Sequence, residues 1–165
     1  EEFDAVAALH ELRPLARQSL SSHCQLRIEL PADPRLIRFD RSQFEMAIIN
    51  LVTNARDAMP DGGSCTITLE DSDGFVALSV RDTGIGMVES IRAQMFEPFF
   101  TTKSVDRGTG LGLSVVHDLV VQAGGRTMVE SVPGRGTTIR LLVPRVVSPV
   151  EASGFQDVTR AMGSV

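Results

Sequence analysis

The chain reads as an α+β domain, and three observations predict that class. Apolar residues recur with a helical spacing in about three segments and alternate with a period of two in about five others. The two kinds of segment mix without strict strand–helix–strand alternation. Four of the strands come as two pairs, each bracketing a Gly-containing turn signal. Such segments allow about three helices to cover one face of a mixed sheet of about five strands. The 165 residues suit one domain, and 42% apolar content is enough for its core. Aromatic residues make up 5%, all of them Phe, so that core should be mostly aliphatic.

Residues 3–20 form the first helix. Val6, Leu9, Leu12 or Arg13, Ala16 and Leu20 keep its spacing, while Pro14 is expected to end or kink it. Gln25 to Leu30 alternates as a strand, and Pro31 to Pro34 breaks it. Asp40 with Gln43 forms a capping pair for the second helix. Its apolar stripe is Phe44, Ala47, Ile48, Leu51, Val52, Ala55 and Met59, and Pro60-Asp61-Gly62-Gly63 stops it. Strands follow at 64–70 and 75–81, joined by Asp71 to Gly74. Residues 111–123 form the third amphipathic helix, closed by Gly124-Gly125. The last strands, 126–132 and 137–143, flank Pro133 to Gly136. From Val146 the chain loses its period, apart from a short helix expected near 155–162. No repeat is present.

A net charge of −5 argues against nonspecific binding to nucleic acid. Cys24 and Cys65 lack metal-like spacing and read as reduced thiols, as in a cytoplasmic protein. No apolar run approaches the roughly 18 residues of a transmembrane helix, and no signal peptide is visible.

Chemistry concentrates in a few runs. Asp82-Thr83-Gly84-Ile85-Gly86-Met87 follows a strand. Its two glycines let the backbone approach a flat ligand closely. A carboxylate fixed there accepts a hydrogen bond from an amino group such as that of adenine. Gly108-Thr109-Gly110-Leu111-Gly112-Leu113 opens the third helix, where exposed backbone N–H groups favour an anion such as phosphate. Either run alone is weak, because Asp-Thr-Gly also occurs in aspartic proteases and Gly-rich turns usually only turn. Asn50, Asn54 and Asp57 share one face of the second helix, opposite its apolar stripe. Amide oxygens there can help hold a hydrated Mg²⁺ beside phosphates, or the three form a solvated stripe. Phe96, Phe99 and Phe100 form an aromatic cluster that alone reads as satellite core. Lys103 and Arg107 bring point charges suited to phosphates. Residues 100–110 lack an apolar pattern.

Five runs occur in a fixed order: Asn50 to Ala58, Asp82 to Met87, Phe96 to Lys103, Gly108 to Leu113 and Gly134 to Thr138. In order and spacing they resemble the N, G1, F, G2 and G3 boxes of the sensor histidine kinase catalytic domain. That domain belongs to the superfamily of gyrase, heat-shock chaperone, histidine kinase and MutL ATPases. The resemblance covers roughly residues 22–145. It implies the two-layer α/β sandwich of the Bergerat ATP-binding fold, with ATP and Mg²⁺ as ligands.

By this resemblance Asn54 is the central Mg²⁺ ligand and Asn50 assists. Asp82 bonds the adenine amino group, partly through water, and Gly84 and Gly86 let the loop fold over the base. Asp57, Ala58, Ile85 and Met87 belong to the nucleotide site; plain core is the other reading of Ala58, Ile85 and Met87. Thr137 lies near the adenine-bound water. Residues 96–112 form a lid, whose Phe residues anchor it and meet a helical dimerisation domain. Phe100, Thr101, Thr102, Lys103, Arg107, Gly108, Thr109, Gly110, Leu111, Gly112 and Leu113 would surround the phosphates, with Lys103 acting in catalysis.

Position 50 separates two chemistries. Hydrolysing relatives carry Glu there as a base for water, whereas Asn50 cannot take a proton at neutral pH. Glu45 stands five residues earlier and is rotated away. Phosphoryl transfer, not hydrolysis, is therefore expected. The acceptor implied is a His on a dimerisation domain of the same kinase, homodimeric at full length. A response regulator receiver domain follows as partner. Residues 1–21 are expected as a helix or linker from that dimerisation domain, 22–145 as the catalytic domain and 146–165 as a linker or tail. The fragment is expected in the cytoplasm, alone or as part of a membrane-bound sensor, without membrane or nucleic-acid contact.

His10-Glu11-Leu12-Arg13-Pro14-Leu15 looks like a phosphoacceptor box with one residue missing. It stands too close to Asn50 for the hairpin that carries a true acceptor, so His10 reads as a surface His and the chain should not label itself. His23 and His117 show no partner pattern. An anti-sigma-factor serine kinase shares the Asn-rich helix, but the long Phe-rich F box argues against it. A nucleotide-binding regulatory module without transferase activity, one that takes a cyclic dinucleotide for instance, is the other rival.

Overall fold

The computed structural model describes residues 1–96 and 112–147. In chain order the elements are β1 (Glu2–Asp4), α1 (Ala5–Ser19), β2 (Cys24–Glu29), β3 (Leu36–Arg38), α2 (Arg41–Ala58), β4 (Gly63–Ser72), β5 (Phe75–Asp82), α3 (Glu89–Arg92), α4 (Gly112–Gln122), β6 (Arg126–Val132) and β7 (Gly136–Pro144). Five strands form the main sheet in the order β2-β4-β5-β7-β6. β2 runs parallel to β4, and the other pairings are antiparallel.

Alternation along the strands sends one face inward. Ile67 and Leu69 of β4, Val76, Leu78 and Val80 of β5, and Ile139, Leu141 and Val143 of β7 are buried there. They share one cluster with Leu9 and Leu12 of α1, Ile48, Leu51 and Val52 of α2, and Val116 and Val120 of α4. Each such side chain contributes about 1.5–3 kcal/mol on burial. Three helices thus cover one face of a mixed five-stranded sheet, the α+β sandwich expected, and α3 adds a single turn.

The first helix begins later than its periodicity suggested. Residues 2–4 pair with β3 instead, Phe3 opposite Ile37. Asp4 then turns the chain into α1, accepting from the N–H groups of Val6 at 2.9 Å and Ala7 at 3.3 Å. Three-residue strands are too short to display an alternation. Pro14 lies inside α1 and does not end it. The proline leaves the His10 carbonyl without its helical donor, but both residues are exposed to water. Ala5, Leu9, Leu12 and Ala16 sit in the common core.

α2 opens on Asp40, whose carboxylate accepts from the Gln43 N–H at 2.9 Å. Its stripe of Phe44, Ala47, Ile48, Leu51, Val52 and Ala55 is buried as the spacing required. β4 and β5 form a hairpin closed by Asp73 and Gly74, with φ of 46° and 82°. Positive φ at both central residues matches the right-handed twist of the flanking strands. Cys24 and Cys65 are free and buried. Burial pushes the Cys65 thiol up to about 12. No helix among the described residues is long and apolar enough to cross a membrane.

Candidate nucleotide site

β5 ends in Asp82, which is only 7% exposed. The strand register places four side chains in one row across the sheet: Cys65, Asp82, Thr137 and Ser131. Asp82 Oδ1 accepts from the Gly84 N–H at 2.9 Å and from the Thr137 N–H at 3.2 Å. Burial pushes its carboxyl above the ordinary carboxylate range, and those two N–H groups oppose the shift without cancelling it. Both of these hydrogen bonds fall on one oxygen, so Oδ2 is the atom suited to an amino group.

The loop after Asp82 is held by backbone contacts that admit no side chain. A Cβ at Gly84 would lie 2.3 Å from the Ala58 carbonyl oxygen. The next residue, Ile85, donates its N–H to that same oxygen at 2.9 Å. Gly86 has a φ of +69°, and a Cβ there would lie 2.1 Å from the Val132 carbonyl oxygen. Gly134 N–H donates to the Ile85 carbonyl at 2.7 Å. The loop therefore lies clamped between the end of α2 and the β6–β7 turn. Ile85 points outward at 66% exposure, so plain core is the wrong reading of it. Met87 is half-buried and packs on the core. Ala58 serves the loop through its carbonyl.

Asn50 stands on α2 one turn before Asn54. Its amide faces the start of α4, where a Cβ at Gly112 would lie 3.8 Å from the Asn50 Cγ. The start of α4 and the Asn-bearing face of α2 thus adjoin, while Leu113 packs against the core. Asp57 accepts from the Arg56 guanidinium at 3.1 and 3.2 Å. Among the described residues no three His, Cys, Asp or Glu side chains converge on one point. A cation here would rest on amide oxygens and on the phosphates it accompanies, a donor set that suits Mg²⁺. Phe99, Phe100, Thr101, Thr102, Lys103, Arg107, Gly108, Thr109, Gly110 and Leu111 lie outside the described residues.

His10 is exposed on α1 and His23 is exposed before β2. His117 is half-buried, with Nδ1 2.6 Å from Thr127 Oγ1 and its ring 5.3 Å from Phe96. Phe96 also packs on the main core.

Two residues that sequence reasoning passed over belong to this end of the sheet. Thr83 Oγ1 accepts from the Ser64 N–H at 3.0 Å and lies 3.7 Å from Met59 Sδ. Ser131 Oγ accepts from the Met87 N–H at 2.8 Å and lies 2.8 Å from Thr137 Oγ1. A signal for Ser131 was available. A three-residue turn, Pro133 to Arg135, closes β6 on β7 and sets Ser131 opposite Thr137.

Known proteins resemble this chain in sequence and in fold. Residues 39–147 match the family described as histidine kinase-, DNA gyrase B- and HSP90-like ATPase. The chain is 36% identical over 168 residues to the sensor kinase CckA of Brucella abortus, covering 92% of this chain but only 18% of that protein. Among solved structures, the mycobacterial sensor histidine kinase MprB superposes with a TM-score of 0.77 at 26% identity, over 90% of this chain and 99% of that one. The histidine kinase ThkA in complex with the response regulator protein TrrA superposes with a TM-score of 0.73 at 26% identity, over 88% of this chain and 42% of that one.

Proposed function

Because this chain belongs to the histidine kinase-, DNA gyrase B- and HSP90-like ATPase family, we propose that it is the catalytic part of a bacterial sensor histidine kinase that passes the γ-phosphoryl of ATP to a histidine elsewhere in its protein. The observation that carries the nucleotide half is the buried Asp82 carboxylate, fixed through one oxygen and capped by a loop that only backbone can fill. Such a carboxylate selects an amino donor on a flat ring, and adenine supplies one. Asn54 and Asn50 would hold Mg²⁺ by their amide oxygens, and the ion would neutralise phosphate charge.

The transfer half rests on Asn50. A side chain there adjoins the start of α4, the end of a helix whose N–H groups favour phosphate. An amide can orient a ligand but cannot deprotonate water, and general-base help is worth roughly 10²–10⁴-fold. What remains for the domain is to position the nucleotide against an acceptor. The acceptor is proposed to be a histidine on a dimerisation domain, followed by a response regulator, a class of partner seen in the ThkA complex.

The test is to mix the chain with a histidine-bearing dimerisation domain and ATP labelled in the γ-phosphate. Acid-labile label on the dimerisation domain, with slow phosphate release by the chain alone, is expected. Fast release with no transfer to any histidine would move the chain among the hydrolysing relatives.

A further inference from the structure

We propose that His117 is a positioning residue for the phosphate half of this site, holding α4 in place through Thr127 and Phe96. The inference rests on the phosphate reading of the start of α4.

The adenine half is built from β5, β7, the end of α2 and the loop clamped against it. The phosphate half needs α4, whose first residue, Gly112, adjoins Asn50. Backbone fixes the far end of that helix. Gly125 N–H donates to the Val120 carbonyl at 2.9 Å, and a Cβ at Gly125 would lie 2.0 Å from the Leu142 carbonyl oxygen. Val116 and Val120 bury its middle. Apolar contact is non-directional, so by itself it sets neither the rotation of a helix nor its register.

His117 adds direction. Its Nδ1 lies 2.6 Å from Thr127 Oγ1 on β6, and its ring lies 5.3 Å from that of Phe96 at an interplanar angle of 31°. One side chain thus joins a residue before α4 in the chain to one after it, and Phe96 is itself packed on the core. Whichever tautomer is present, one member of the His117–Thr127 pair donates and the other accepts. His117 stands five residues into α4, about 7.5 Å along the axis from Gly112. Without it the helix is free to tilt about its far end. A tilt of about 3° there moves Gly112 by about 1 Å, a displacement that matters to a positioned phosphate.

The test compares adenosine with ADP, both with Mg²⁺, by displacement calorimetry on the full chain. Adenosine reads the Asp82 end, and the ratio of the two affinities reads the phosphate end. His117→Ala should lower the preference for ADP about three- to tenfold, the worth of one neutral hydrogen bond, and leave adenosine within about twofold. Thr127→Val keeps the Phe96 stack but should lower the preference too, and it serves where His117→Ala fails to fold. Thr127→Ser, which keeps the hydroxyl, should retain it. A His117→Ala or Thr127→Val protein that keeps the wild-type ratio would overturn the proposal, since a purely structural role lowers both ligands alike. Wild type that binds adenosine as tightly as ADP would refute the phosphate reading of α4, and wild type that binds neither would refute the nucleotide reading itself.

Discussion

The two ends of α2 are built on opposite principles. At its start, Phe3, Phe39 and Phe44 meet edge to face, with centroids 5.3 and 6.1 Å apart. Arg41 lies over the Phe3 ring at 5.2 Å and pairs with Glu11 and Glu45. Apolar surface and partly exposed ion pairs hold this end, and its one cap, Asp40, is open to water. At the other end, about 27 Å away along an 18-residue helix, a carboxylate is buried and the loop packs backbone on backbone. The difference separates the two ends: the Phe end supplies stability, and the Asp82 end, on the reading proposed for it, gives some up for recognition.

Cutting the stable end should give the largest effect. Phe44→Ala removes a ring that is 4% exposed and should cost about 3–5 kcal/mol. Urea unfolding measures the loss. ADP affinity of the folded fraction should stay within about twofold, since about 27 Å of helix separates the two ends. A tenfold fall in that affinity would break the contrast drawn above.

Asp82→Asn cuts the other end. It keeps the acceptor for Gly84 and Thr137 but removes the charge. ADP affinity should fall about ten- to a hundredfold, as when a charged hydrogen bond is lost, and calorimetry reads it. The unliganded protein should melt no lower than wild type at neutral pH, because a buried charge is relieved. Lower melting together with unchanged ADP binding would make Asp82 a structural residue.

Asp40→Ala, at the stable end, should cost about 1 kcal/mol through the lost cap. The urea midpoint should shift and the nucleotide titration should not. A cap that alters ADP binding would mean that α2 transmits between its ends.

How much of this was legible in the sequence follows from element length and from register. α2 and the β4–β5 hairpin have enough residues to display a period, and they lie where the pattern put them. β1 and β3 have three residues each and show none. Pro14 signalled a break that the chain avoids by facing the proline to water. Asp82, Gly84 and Gly86 were legible because a carboxylate beside close-packed glycines leaves a mark in the residue types themselves. Ser131 left only an indirect mark, the short turn after it, since a serine in a strand is ordinary until register sets it against Thr137. Ile85 had two readings, a place at the nucleotide site by resemblance and plain core; periodicity alone could not choose, because its exposure depends on a loop path that periodicity does not describe.

The smallest expected effect is a pair of opposite slopes with pH. Asp82 and Asp40 share an ordinary value of 3.8, and the fold moves them in different directions. Burial raises Asp82. Its contribution to stability is therefore present below 3.8 and is lost as pH rises through its raised folded value. The Ser42 hydroxyl, and then the Gln43 N–H, hold Asp40 below the ordinary value. Its contribution is present above 3.8 and is lost as pH falls through its lowered folded value. Asp→Asn at either site removes the titration and keeps an acceptor. The urea midpoint of wild type minus that of Asp82→Asn should decline as pH rises from about 4 toward neutrality. Wild type minus Asp40→Asn should instead grow as pH rises through the acid range. On the proposed reading ADP binds the ionised form of Asp82, so affinity should weaken as pH falls through the raised value, while the unliganded protein gains from the same protonation. Slopes of the same sign at both sites would mean that the two ends of α2 do not differ in how they hold charge.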